Sequence, residues 1–147
     1  MEKAAQERAV QGLDPDARKR AEDVASRFAQ AMNARTWQTS RQQWREALAP
    51  TVSPELLKTL DVDRDWESDA QHRFVQAKAS TSVQVLESRA QTVQGERVDV
   101  ALIVATETTG EDPWVTAPRT ERPMTVVVDT TQNRVVEQID MTPHGGL

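Results

Sequence analysis

Val98-Asp99-Val100-Ala101-Leu102-Ile103-Val104-Ala105 is the stretch that decides the fold of this chain. Taken in steps of two, Val98, Val100, Leu102 and Val104 share one face of a strand. Asp99, Ala101, Ile103 and Ala105 share the other. It is the most apolar alternating run in the sequence, which predicts a central strand. Upstream, Gln94-Gly95 marks a turn, and before it Val83 and Val85 alternate with Ser82 and Gln84. Downstream, Thr109-Gly110-Glu111-Asp112-Pro113 opens a loop. That loop is expected to run to Pro123 and to carry Trp114 and Pro118. Met124 to Asp129 is β-branched, and Thr130-Thr131-Gln132-Asn133 reads as a turn with Asn133 in the left-handed region. Val135, Val136 and Ile139 form a last strand, so the C-terminal half predicts about four antiparallel strands.

The first third follows a different period. Asp14-Pro15-Asp16 has a capping residue, a proline suited to the first helical position and acids at the positive end of the dipole. Ala17, Ala21, Val24, Ala25, Phe28 and Met32 then recur at three- and four-residue steps, one apolar stripe on a helix ending near Asn33. Ser40 and Gln43 have the spacing of a capping box ahead of Trp44 and Leu48, and Pro50 ends that short helix. Ser53-Pro54 starts a third helix with Leu56, Leu57 and Leu60 on its apolar side. Trp37 is expected to pack over the junction before the second helix. Asp61 to Gln71 reads as a polar linker carrying Trp66, with strand character from about Phe74. The expectation is an α+β domain, three N-terminal helices packed on a curved, roughly four-stranded antiparallel sheet. Residues 1–13 read as a flexible lead-in, 14–141 as the domain and 142–147 as a tail.

Composition removes several kinds of chemistry. The 147 residues contain no cysteine and 2 histidines, which excludes thiolate sites and leaves little for a zinc site built from side chains. The net charge is −5, from 18 Lys+Arg against 23 Asp+Glu, which argues against nucleic-acid binding by bulk positive charge. The basic trio Arg18-Lys19-Arg20 is hemmed in by Asp14, Asp16, Glu22 and Asp23, as on a solvated helix face. Asp61, Asp63 and Asp65 have the alternation of a calcium loop but lack its glycine and distal glutamate. His72 and His144 have no partners at a spacing that would make a triad. The inward set on the strands is apolar, so the space between sheet and helices is expected to be a packed core. No catalytic, cofactor-binding or metal-binding residue is assigned, and the expectation is a protein that is not an enzyme.

One resemblance adds to this. Phe28-Ala29-Gln30-Ala31, Trp44-Arg45-Glu46-Ala47-Leu48-Ala49-Pro50 and Ser53-Pro54-Glu55-Leu56, with the closing strand Asn133-Arg134-Val135-Val136-Glu137-Gln138-Ile139-Asp140, resemble a pattern in actinobacterial proteins of mobile elements. Those are similar to the TcpC-like conjugation proteins of Gram-positive bacteria, which share the nuclear-transport-factor-2-like (cystatin-like) fold with the periplasmic assembly factor of type IV secretion systems. The resemblance covers roughly residues 14–141. It implies a non-enzymatic scaffold of DNA-transfer machinery that associates with other secretion-channel proteins and with itself and makes no direct nucleic-acid contact. It also implies a membrane anchor, absent from this sequence, and a place on the extracytoplasmic face of the cell membrane. A small-ligand module or an enzyme of the same fold, using the cone between sheet and helices, is the alternative. Trp114, with Glu111 and Asp112 on its loop, and Trp66 are the candidate protein-contact residues, because an exposed tryptophan on a loop is a common interface anchor; the alternative is that Trp114 folds back to cap the open end of the sheet.

Overall fold

The computed structural model describes residues 13–139. Most of the expected lead-in, the tail 142–147 and His144 lie outside the described residues. Helix α1 (Pro15–Asn33) follows Asp14 at the N-cap position, with Pro15 at its first turn. The Asp14 carboxylate makes no capping bond, so the start rests on the proline and on Arg18 N donating to Asp14 O at 2.9 Å. Strand β1 (Arg35–Thr36) is two residues long. Helix α2 (Arg41–Leu48) opens on the expected capping box. Gln43 N donates to Ser40 Oγ at 3.1 Å, and Ser40 N donates to Gln43 Oε1 at 2.9 Å. A single 3-10 turn, Ala49–Thr51, carries Pro50. Helix α3 (Pro54–Arg64) is capped by Ser53, which accepts from Leu56 N.

The expected linker 61–71 is corrected by the structure. Helix α3 runs on to Arg64, and a fourth helix, α4 (Asp69–Gln76), follows after Asp65 takes a left-handed turn at φ 50°. Ser68 caps α4 by accepting from Gln71 N at 3.1 Å. Its far end closes with Lys78 in the left-handed region (φ 49°). Ala79 N donates to Phe74 O and Lys78 N to Val75 O, the paired bonds of a Schellman ending. Phe74, expected to begin strand structure, is instead the buried residue of α4.

The sheet is an antiparallel meander of five strands in the order β1-β2-β3-β4-β5, one more than expected. Strands β2 (Ser80–Gln94), β3 (Arg97–Thr109), β4 (Ala117–Asp129) and β5 (Arg134–Ile139) make up its body. Gly95, at φ 61°, opens the two-residue turn between β2 and β3, a position that favours glycine. Asn133 takes φ 57° at the end of the β4–β5 turn, as its type suggested. Register shifts interrupt the β2–β3, β3–β4 and β4–β5 ladders, and such bulges bend strands and increase their twist.

The decisive stretch behaves as its alternation predicted. β3 is the central strand, and Val98, Val100, Leu102 and Val104 are buried on its inner face. They join Val126, Val128 and Val135 beneath Val24, Phe28, Trp44 and Leu48 of the helices. Each such side chain contributes about 1.5–3 kcal/mol by leaving water. The inner face of the sheet is therefore filled by packed hydrocarbon. Asp99, on the outer face, is held by Thr92 Oγ1 donating to its Oδ2 at 2.8 Å.

Candidate functional site

The loop expected to span Thr109–Pro123 is shorter. β3 continues to Thr109 and β4 begins at Ala117, so Pro118 and Pro123 lie inside β4. They fit there because β5 pairs only with Thr125–Asp129. Along 117–124 strand β4 has a neighbour on one side only among the described residues, and a proline on the open side costs no ladder bond.

What remains, 110–116, is tied down. Gly110 passes so close to the end of α4 that a Cβ there would lie 3.2 Å from Ala79 Cβ and 3.3 Å from Ala77 O. Glu111 N donates to Ala77 O at 2.7 Å. Asp112 Oδ1 accepts from Trp114 N at 3.0 Å, and Val115 N donates to Asp112 O. Val115 packs on Phe74, Ala77 and Ala79, a small apolar cluster separate from the main core. The backbone under Trp114 is thus fixed on both sides, while its indole is 89% exposed. Of the four residues nominated from the sequence, Trp114, Glu111 and Asp112 come together on this loop.

Trp66 lies elsewhere. It is half-buried, with its ring 5.7 Å from that of Trp44 in an edge-to-face arrangement. Its Nε1 donates to Asp61 Oδ1 at 3.2 Å. Asp61, the first acid of the would-be calcium loop, also accepts from Arg41 Nε at 3.0 Å and Nη2 at 2.6 Å. The hydrogen bond from Arg41 is the largest cause holding the Asp61 carboxyl below the usual carboxylate range. Arg64 lies between the two indoles, 4.2 Å from the Trp66 ring centre and 4.9 Å from that of Trp44. Burial, aided by the nearby Arg35 charge, pulls the Arg64 guanidinium down to about 10. Trp37 is partly exposed, with Lys78 Nζ 6.0 Å from its ring centre. It follows β1 at the sheet edge, where its backbone N–H donates to Ala79 O.

Residues that the sequence reading missed complete the surface beside Trp114. A concavity of about 470 Å³ lies between the 110–116 loop and α4. Trp114, Val115 and Thr108 form one wall, and Phe74, Ala70 and Asp69 the other, with Arg35 and Arg73 on the same surface. The Arg35 guanidinium lies 3.9 Å over the Phe74 ring, and its Nη1 donates to Gln71 Oε1 at 3.1 Å. Burial lowers the Arg35 pKa. Among the described residues no group of acids and histidines is placed to hold a metal ion, and His72 is exposed on α4. No described helix is long and apolar enough to cross a membrane.

No family model matches this chain, and no curated protein does. Solved structures match over most of its length. The solution structure of the putative transfer protein TraH from the Gram-positive conjugative plasmid pIP501 superposes with a TM-score of 0.56 at 6% identity, covering 85% of this chain and 94% of that one. CagV, a VirB8 homologue of the type IV secretion system of Helicobacter pylori strain 26695, gives 0.54 at 9% identity over 84% and 99%. The intermembrane-space region of the chloroplast protein ARC6 gives 0.54 at 15% identity over 83% and 94%. At these identities what is shared is the fold. The chain has the α+β architecture of nuclear-transport-factor-2-like domains, with helices over a curled antiparallel sheet, as the resemblance to conjugation proteins implied.

Proposed function

We propose that this chain is a component of a conjugative type IV secretion system, a non-enzymatic scaffold that works through protein–protein contacts. The fold alone does not select this reading, since a chloroplast protein shares it. The observation that carries it is a concurrence. Two proteins that share the fold over 94% and 99% of their own length are a plasmid transfer protein and a VirB8 homologue, and the sequence patterns of α1, α2 and β5 resemble conjugation proteins independently. The packed inner face supports a scaffold over an enzyme, because Val98, Val100, Leu102 and Val104 leave the cone without a polar reaction chamber.

In this proposal residues 14–141 act as one domain on the extracytoplasmic face of the membrane, and its partners are other secretion-channel proteins and further copies of itself. Trp114, with Glu111 and Asp112 on the same loop, is the contact surface, and Trp66, apart from it beside Trp44 and Asp61, is a second contact residue. Nucleic acid is not contacted directly. Deleting the gene from a donor strain tests the reading. Plasmid transfer falls and is restored by supplying the wild-type chain; transfer at the parental level would contradict it.

A further inference from the structure

We propose that the concavity between Arg35, Arg73 and Trp114 docks a segment of a partner protein in which a carboxylate side chain stands beside an apolar or aromatic one. This deepens the contact surface proposed above and rests on that reading for the partner's place in a secretion system. The binding chemistry stands on the geometry of the concavity.

Arg35 is the first part of the argument. Its guanidinium lies over Phe74, 3.9 Å from the ring centre, and is pinned by Gln71, yet it carries five N–H donors. Among the described residues the ion pairs are Arg41 and Arg45 with Asp61, and Arg119 with Glu121. Arg35 is in none of them. A half-buried, stacked guanidinium without a carboxylate has already lost much of its hydration and side-chain freedom. A bidentate carboxylate would recover the hydrogen bonds at little further entropic cost.

Charge is the second part. Arg73 lines the same concavity, and Arg64 lies near enough for the Arg35 charge to lower its pKa. Asp69 is the acid on the wall. The lining of the concavity therefore holds two guanidinium groups against one carboxylate in a chain of net charge −5, a local balance that favours an anion. The third part is Trp114, a rigidly based and exposed indole that offers an apolar platform. A volume of about 470 Å³ lies within the range of pockets that hold small ligands, about 300–1,000 Å³. A continuous phosphate chain is disfavoured by the Asp69 carboxylate on the wall.

The test is a ¹⁵N NMR titration of the chain with the peptide acetyl-Gly-Glu-Phe-Glu-Gly-amide at low salt. We expect saturable shifts of the Trp114 indole N–H and the Arg35 Nε–H, and at least tenfold weaker binding of the Gln-Phe-Gln analogue. Arg35→Gln weakens binding about tenfold and Arg73→Gln about fivefold. Arg35→Lys also weakens it, because the planar fork is lost. The exposed Arg73→Gln variant keeps the test sound if Arg35→Gln disturbs the packing on Phe74. Equal binding of the neutral peptide, no shift at Trp114, unchanged affinity in Arg73→Gln, or tighter binding of the oligonucleotide (dT)8 would each overturn the proposal. Charge-dependent peptide binding together with normal plasmid transfer by Arg73→Gln donors would support the docking site and count against the secretion reading alone.

Discussion

Arginine stacks on aromatic rings in two regions of this molecule, and the regions differ in what else they touch. Arg64 lies between Trp44 and Trp66, beside an Asp61 carboxylate that already holds Arg41. Both rings turn inward, and Trp44 is 2% exposed. Arg35 lies over Phe74 with no carboxylate among the described residues, next to an indole that faces solvent. The same residue types thus serve cohesion in one place and leave an unsatisfied surface in the other. What separates them is whether an anion is already supplied and whether an exposed indole stands beside the stacked pair.

The difference can be broken most forcefully on the cohesive side. Trp44→Ala removes the ring that joins α2 to the core and to Trp66, and should cost about 3–5 kcal/mol, read by urea unfolding. Arg64→Ala should cost about 1–2 kcal/mol through lost stacking and stem packing. Arg64→Met should cost less, because its buried Nε has no hydrogen-bond partner to lose. If Arg64→Met is as damaging as Arg64→Ala, the charge and not the packing holds that region together.

Acid sharpens the comparison. Asp61 is held low mainly by the Arg41 hydrogen bond, and Asp129 mainly by the Thr131 hydroxyl. Folded-state values below the unfolded ones mean that both contribute stability above the ordinary carboxylate range. That contribution is lost as the pH falls through their folded values. Thermal unfolding should therefore move to lower temperature below about pH 4, and less steeply in Asp61→Asn. An unchanged slope in that variant would remove Asp61 from the acid response. The smallest stability effect is expected for Trp114→Ala, within about 0.5 kcal/mol, because its backbone and not its ring is tied to the fold.

The sequence was most legible where one short stretch carried the whole signal. The alternation from Val98 to Ala105 placed the central strand and its buried face, and Ser40 with Gln43 placed a helix start to the residue. Helix α4 was lost because Asp65, Glu67 and Asp69 made the segment look like a solvated linker. Two signals stood in that segment. Ser68 and Gln71 repeat the capping spacing of Ser40 and Gln43, and Ala70, Phe74 and Ala77 step at four and three. Strand β1 has two residues and no period to detect. Pro118 and Pro123 suggested loop because nothing local says that β5, as described to Ile139, pairs only with the far end of β4. The exposed Trp114 was nominated from its loop alone. Arg35, Phe74 and Arg73 reach it from other elements of the chain, and only tertiary packing brings them together.

Plasmid transfer by donors carrying Trp114→Ala, with the melting temperature of the purified variant measured alongside, tests the central claim most directly. The account predicts a melting temperature within about 2 °C of wild type, as follows from a change of about 0.5 kcal/mol at this size, and at least a tenfold loss of transfer. Full transfer by an intact Trp114→Ala protein would contradict it.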